Sequence, residues 1–280
     1  DLETGLQAIR QRGPDGTDQW VSRDGRVGFG HVRLSIIDIE TGAQPMHSDD
    51  WRFTIIYNGE IYNYIELRAE LGEGSFRTQS DTEVVLRAFE RWGAKSITRL
   101  RGMFAIAIWD SLEQRLFLAR DRFGIKPLYW AQSDAGLYFA SEIKALLPFL
   151  RQRCVNRAAL ADYFTFQFCL GEKTLMDGVW QLPAAHYAML SSGQSPSPRR
   201  YWEVHYDIDL DHTEHWFANR LKELLYDSVR VHLRADVEVG SYVSGGVDSS
   251  LLAALAREVR PNGAFKAFNG RFMDGIDFVE

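Results

Sequence analysis

Ser244-Gly245-Gly246-Val247-Asp248-Ser249-Ser250 follows a stretch, Val237 to Val243, that alternates into an apolar run, and a helix-like segment, Leu251 to Val259, comes directly after it. A strand feeding a Gly- and Ser-rich loop that opens a helix is a built-in anion site. The glycines let the backbone approach an oxyanion, and the helix N-terminus turns free N–H groups toward negative charge. The hydroxyls of Ser244, Ser249 and Ser250 add donors, and Asp248 offers a carboxylate that can hold Mg²⁺ against phosphates. An ordinary strand–turn–helix junction also uses Gly-Gly and Asp-Ser. Two glycines, three serines and one Asp in seven residues exceed what such a junction needs. No Lys follows the glycines, so this is not a Walker A loop.

The loop resembles the pyrophosphate loop of the ATP-pyrophosphatase superfamily, whose members split ATP between the α and β phosphates to adenylate a substrate. That resemblance implies an α/β domain with a parallel sheet. Val237–Val243 is expected to pair in parallel with a second apolar stretch, Ala264–Asn269 (extending to Phe272), with helix 249–259 crossing over between them. One complete β–α unit cannot cover both faces of a parallel sheet, so the C-terminal domain is predicted to be incomplete in this chain. The other end opens on Asp1 rather than Met and enters a helical pattern, Leu2, Leu6 and Ile9. The expectation is a chain cut at both ends.

The 280 residues leave room for two domains and a real core. A hydrophobic content of 45% with 25% charged residues is ordinary for a soluble globular protein. The net charge of −6 lacks the basic excess that marks nucleic-acid binding. No apolar run reaches the length of a membrane span, and no signal-peptide pattern opens the chain. Cys154 and Cys169 cannot build a disulfide framework, so a reducing cytoplasm is the expected setting.

Between Arg26 and Trp130 short strand patterns recur: Val27–His31, Phe53–Tyr57, Phe104–Trp109, Leu116–Asp121 and Leu128–Ala131, with Gly, Asp and Asn between them. Helical periodicity appears at Tyr64–Leu71 and Thr82–Trp92. Ser80 or Asp81 is a good N-cap for the second of these and Gly93 a good residue past its end. Strand groups around a helix pair predict layered sheets covered by helices, an α+β arrangement. Ser191 to Arg200 reads as a loop tip, Asp207 to Thr213 as a linker, and His215 to Leu233 as an amphipathic helix.

Four strings in this half stand out: Arg12-Gly13-Pro14-Asp15-Gly16, His31-Val32-Arg33-Leu34-Ser35-Ile36-Ile37-Asp38, Asn58-Gly59-Glu60-Ile61-Tyr62-Asn63 and Ser80-Asp81-Thr82-Glu83. Each alone has an ordinary structural reading. Asn58-Gly59 is a common hairpin turn, Ser80 to Glu83 fits a capping box, and a single Arg near a strand is usually solvated or ion-paired. In order, however, they run on through Gln44-Pro45-Met46, Gly102-Met103-Phe104-Ala105, Leu118-Ala119-Arg120-Asp121-Arg122-Phe123-Gly124-Ile125-Lys126-Pro127-Leu128-Tyr129 and Phe139-Ala140-Ser141-Glu142-Ile143-Lys144-Ala145-Leu146 to the Ser-Gly-Gly-Val-Asp-Ser-Ser loop. The ordered set resembles glutamine-hydrolysing asparagine synthetases over nearly the whole chain.

The resemblance implies a glutaminase domain over 1–205 with the N-terminal-nucleophile fold, a four-layer αββα sandwich lacking its first strand here. A linker over 206–214 and the first part of the ATP-binding synthetase domain over 215–280 would follow. The family's nucleophile is an N-terminal cysteine; this chain starts at Asp1, and Cys154 and Cys169 lie far past the matching position. For glutamine, Arg33 matches the arginine that holds the α-carboxylate, since a planar fork of donors suits a carboxylate. Asp81 and Glu60 match the groups that hold the ammonium, and Asn58 and Gly59 match the oxyanion hole. Main-chain groups around Leu34, Ile36 and Ile37 are expected to line the same pocket. For ATP, Val243, Ser244, Gly245, Gly246, Val247, Asp248, Ser249 and Ser250 match the nucleotide site, with Gly270 near the adenine and Asp248 the candidate Mg²⁺ ligand. The implied reactants are glutamine, aspartate and ATP, in a cytoplasmic protein whose assembly the resemblance allows to be a homodimer. Two rivals remain: a same-architecture amidotransferase that amidates a different carboxylate, and a non-catalytic homologue.

Overall fold

The structure is a computed structural model, and it describes residues 2–72, 74, 76–261 and 265–270. The chain divides into two compact units, one running to Val204 and the other starting at His205.

The first unit is built on one six-stranded antiparallel sheet. Its members are β3 (Met46–His47), β4 (Phe53–Ile61), β5 (Gly102–Asp110), β6 (Arg115–Arg120), β10 (His186–Ser191) and β11 (Arg199–Arg200), in the spatial order β11-β10-β6-β5-β4-β3. Strand side chains alternate between faces, and β5 uses both. Phe104, Ile106 and Ile108 point into a core shared with Val84, Val85, Leu86 and Phe89 of a long helix, α3 (Asp81–Trp92), and Leu67 of α2 (Tyr64–Leu71). Ala105, Ala107 and Trp109 point the other way, into a second core with Phe29, Leu128 and Leu182. The small alanines leave room for those larger side chains at close-packed density.

The second layer comes in two hydrogen-bonded pieces. One pairs β1 (Gly16–Val21) with β2 (Gly28–Arg33); the other orders β7 (Tyr129–Ser133), β8 (Gly136–Ala140) and β9 (Val179–Gln181) as β8-β7-β9. Its outer face is covered by α4 (Ile143–Leu146), which contacts α1 (Leu2–Ala8), while α5 (Arg157–Phe166) follows in sequence. Helix, sheet, sheet, helix is the αββα sandwich expected from the sequence. The periodic segments form where they were read. The strands β1, β3, β8, β9, β10 and β11 and the helices α4 and α5 carry no clear signal in the sequence. Most are short or at an edge, and two find partners far away in the chain: Tyr187 of β10 pairs with Ala119 of β6, and Trp180 of β9 with Trp130 of β7.

The second unit holds α6 (Glu214–His232), β12 (Gly240–Tyr242), α7 (Val247–Val259) and β13 (Lys266–Phe268). Strands β12 and β13 pair in parallel, Gly240 opposite Lys266 and Tyr242 opposite Phe268. The predicted strand 237–243 shortens to three residues because the ladder reaches only as far as its partner. Ala264 and residues 271–272 of the predicted second strand lie outside the described residues. A small core of Val229, Leu233, Leu255 and Ala256 packs α6 against α7.

Candidate active site

Strand β4 carries the first group of functional candidates. Asn58 and Gly59, which alone suggest a hairpin turn, lie within this strand, opposite Ala105 and Phe104 of β5. Long-range pairing overrides the local turn preference. Phe104 sends both its N–H and its C=O toward Asp121 on its other side, so its pairing with Gly59 is of the non-hydrogen-bonded type, where backbones approach closely. A Cβ on residue 59 would sit 2.1 Å from the Met103 carbonyl oxygen and 2.8 Å from Phe104 Cα, which is why only glycine fits. Alternation along the strand also places the Gly59 N–H on the edge facing away from β5. The neighbouring N–H groups on that edge are held: Tyr57 donates to Gln44 Oε1 (2.6 Å) and Ile61 to Asp81 Oδ2 (2.9 Å).

The start of α3 supplies the second group. Ser80 is the N-cap, its hydroxyl accepting from the Thr82 N–H at 3.1 Å. The capping box does not form. Glu83, fully buried, bypasses the Ser80 N–H and instead accepts from the N–H groups of Arg77 and Thr78 and from the Thr78 hydroxyl, with Arg77 and Arg87 nearby. The chain before the helix wraps back over its first turn, and this tertiary path offers Glu83 better donors than the cap. Asp81 is thereby freed from capping. It is buried and accepts from the Tyr57 hydroxyl (2.9 Å) as well as from the Ile61 N–H.

Arg33, at the end of β2, is half-buried and makes no ion pair among the described residues. Its guanidinium donates to the carbonyls of Ile37 (3.2 Å), Asp38 and Ile39 (3.0 Å) and so folds residues 34–39 around itself. Three of its five N–H donors are engaged in this way, leaving two among the described residues. Asp38 closes the loop by accepting from Thr41 and ties it to the α3 approach through the Gln79 N–H at 2.8 Å.

These elements enclose one cavity of about 350 Å³. Arg33, Leu34, Ile36 and Ile37 line it from the loop after β2, and Asn58, Gly59, Glu60 and Asp81 from β4 and α3. All eight residues singled out in the sequence for this pocket are therefore brought together. Burial, reinforced by the Asp81 charge, pushes the Glu60 carboxyl up to about 7. Burial also raises Asp81, against the pull of its hydrogen bonds.

His31, Tyr57, Lys126 and Ser141 line the same cavity and had no role in the sequence reading. Burial lowers His31 to about 4. Ser141 accepts a hydrogen bond from Asn58 Nδ2 at 3.3 Å. Each except Tyr57 lies inside a motif string noted above, but only the folded chain shows which member of a string faces the cavity. Neither Cys154 nor Cys169 lines it.

In the second unit Gly245 takes φ +80°, a left-handed turn that glycine allows at no steric cost. Gly246 is the N-cap of α7, with no side chain capping the helix. Ser249 Oγ accepts from the Ser244 N–H (3.1 Å) and holds the loop closed. Helix α7 begins at Val247, earlier than predicted, so Asp248 lies inside its first turn rather than at the cap. Its carboxylate is exposed, as are Ser244, Gly245, Gly246, Val247 and Ser250. Val243 donates to the Phe268 carbonyl and accepts from Asn269 Nδ2, which brings Gly270 beside the strand that leads into the loop. Among the described residues no group of three or more His, Cys, Asp or Glu side chains could hold a metal. Mg²⁺ commonly accepts one or two carboxylates completed by phosphates and water, and Asp248 is the carboxylate of this loop.

Known proteins match this architecture. Among solved structures, glutamine phosphoribosylpyrophosphate amidotransferase from B. subtilis shares the fold with a TM-score of 0.52 at 18% identity, covering 96% of this chain and 63% of that one. Asparagine synthetase [glutamine-hydrolyzing] 1 of Bacillus subtilis is 41% identical over 91% of this chain, and a putative asparagine synthetase [glutamine-hydrolyzing] of Mycobacterium tuberculosis is 39% identical over 90%. An amidase of Gibberella zeae is 36% identical over 94%. The chain spans 40–41% of the length of these three relatives. The asparagine synthase family model matches residues 220–279. The glutamine amidotransferase domain model matches residues 1–202, the stretch that builds the αββα sandwich and its cavity, and the chain belongs to that family.

Proposed function

We propose that this protein takes part in glutamine-dependent asparagine synthesis. The observation that carries the reading is the convergence in one cavity of groups complementary to each part of glutamine. The two uncommitted Arg33 N–H groups suit the α-carboxylate, Asp81 and Glu60 the α-ammonium, and the edge N–H of Gly59 with the Asn58 amide the carboxamide oxygen. As the carboxamide carbon becomes tetrahedral its oxygen gains negative charge, and fixed donors there stabilise the transition state. Removing one such donor costs about 2.7–4 kcal/mol in comparable enzymes.

In the family the attacking group is the thiolate of an N-terminal cysteine. Since neither cysteine of this chain lines the cavity, the 280-residue polypeptide by itself is expected to release no glutamate from glutamine in a coupled glutamate assay.

For the second unit we propose ATP binding at Val243 to Ser250. The free N–H groups at the start of α7 and the serine hydroxyls would receive the pyrophosphate, and Asp248 would hold Mg²⁺, which supplies charge neutralisation to the phosphates. Aspartate would attack the α-phosphorus and displace pyrophosphate; ammonia from glutamine would then displace AMP to leave asparagine. We place the reaction in the cytoplasm. One alternative keeps the same architecture with another carboxylate as the acceptor; a relative with a similar share of its length covered is named for a different activity, that of an amidase.

Transfer of label from amide-¹⁵N glutamine into asparagine, with aspartate and ATP supplied to the whole protein, tests the reading. Label that appears only with a different carboxylate acceptor would sink asparagine as the product. Asp248→Ala is expected to abolish AMP formation and leave glutamine hydrolysis largely intact. Because Asp248 makes no capping bond, Asp248→Asn is expected to lose activity too, most steeply at limiting Mg²⁺. Full AMP production by the Asn variant would remove the metal role.

A further inference from the structure

The turn after β6 is held from both sides. The buried Asp121 carboxylate accepts from the N–H groups of Phe123 (3.1 Å), Ile125 (2.9 Å) and Lys126 (3.0 Å), and from Phe104 of β5 (3.1 Å). Across the turn the buried Arg120 guanidinium donates to the carbonyls of Gly124 (2.6 Å), Lys126 (2.7 Å) and Leu182 (2.8 Å). Both backbone groups of Lys126 are thus fixed, while Phe123 and Ile125 beside it stay exposed. Two buried charged side chains spent on an exposed turn have an evident purpose in placing Lys126, the member of the turn that lines the cavity.

The Lys126 ammonium makes no hydrogen bond or ion pair among the described residues, and neither does the Glu60 carboxylate. Both line the same cavity, Glu60 from β4 and Lys126 from the clamped turn, and each charge favours the other. Other charged or titratable groups around the pair are Asp81 from α3, Tyr57 and Tyr62 from β4 and its end, Asp121 from the turn, Arg12 from the segment between α1 and β1, and Arg33 from the end of β2. Burial and Asp81 disfavour a charge on Glu60; Lys126 is the cation that favours it. Glu60 in turn supports the charge on Lys126 against burial.

We propose that Lys126 is a positioning residue of this pocket: held by the clamped turn in the same cavity as Glu60, its ammonium supports the negative charge with which Glu60 pairs with the α-ammonium of a bound amino acid. This rests on reading the cavity as the glutamine site. Glu60 sits near 7 with Lys126 present. A nearby opposite charge lowers a carboxyl pKa, and Lys126 acts on Glu60 in that direction, so removing Lys126 moves Glu60 further up. The ionised fraction grows with pH, and the gain of affinity is therefore displaced to higher pH.

The test is calorimetric titration of L-glutamine into the protein, Lys126→Met and Lys126→Arg between about pH 5.5 and 8.5. Lys126→Met is expected to bind about fivefold more weakly at neutral pH, with the pH of half-maximal affinity about one unit higher, and Lys126→Arg to restore both. Glutaramate, which lacks the α-ammonium, is expected to bind the protein and Lys126→Met alike. Uniform weakening of glutamine at every pH would mean a merely structural role and overturn the proposal. Equal weakening of glutaramate would move Lys126 to the ligand carboxylate and also overturn it. Absence of L-glutamine binding to the unsubstituted protein at every pH would overturn the glutamine reading of the cavity, and the Lys126 assignment with it.

Discussion

Gly59→Ala is expected to destabilise the first unit by about 3 kcal/mol or more, measured by urea unfolding. The added methyl would lie 2.1 Å from the Met103 carbonyl oxygen and 2.8 Å from both Phe104 Cα and a Tyr57 ring carbon. Two of these three obstacles are backbone of the paired strand β5, which cannot rotate away as a side chain tip can. Relief requires β4 and β5 to separate at the centre of the six-stranded sheet, where Ile106 and Ile108 are fully buried. The same separation swings the Gly59 N–H and the Asn58 amide away from the cavity, so glutamine chemistry should fail together with stability. A variant within about 0.5 kcal/mol of the unsubstituted protein would show that the strands are not packed as described.

Asp121→Ala is expected to cost about 4 kcal/mol. The substitution leaves the N–H groups of Phe104, Phe123, Ile125 and Lys126 without their acceptor, three of them within one turn. A buried, unsatisfied donor such as that of Phe104 costs about 1–3 kcal/mol; the three half-buried donors of the turn add less each, and neighbours in one network do not add fully. Asp121→Asn is the sharper probe. One carboxylate oxygen serves Phe123 and Ile125 and the other serves Phe104 and Lys126. An amide keeps only one acceptor and turns its NH₂ toward two donors, so about half the loss is expected, again by urea unfolding. An Asn variant as stable as the unsubstituted protein would show that the charge and second oxygen of Asp121 are dispensable. Both substitutions act on one junction, because Phe104 lies between Gly59 on one side and Asp121 on the other.

Much of the sandwich was legible in the sequence because its central elements carry their own signal. Strands β4 to β6 are apolar runs, α3 has helical spacing, and Ser80 caps it as its type predicts. The site was legible in a different sense. The motif strings marked which segments matter, whereas residue type alone gave the wrong local structure at two of them. Asn58-Gly59 has the composition of a turn but is locked into a strand by nine residues of pairing with β5. Ser80 to Glu83 has the spacing of a capping box, yet Glu83 bonds back to Arg77 and Thr78.

The sequence by itself determined the layered α+β class, because it follows from periodicity along the chain; the candidates for the two binding sites came from the family resemblance that the ordered motif strings carry. Only the tertiary structure decided what the candidate side chains do. It turned Asp81 toward Tyr57 and Ile61, committed three donors of Arg33 to the loop it folds, aimed the Gly59 N–H at the open edge of β4, and brought Lys126 into the cavity that Glu60 lines. Glu60 and Lys126 are 66 residues apart in sequence, and their charge states depend on burial and on each other's proximity. Neither quantity exists until the chain has packed, so no local pattern could have carried it.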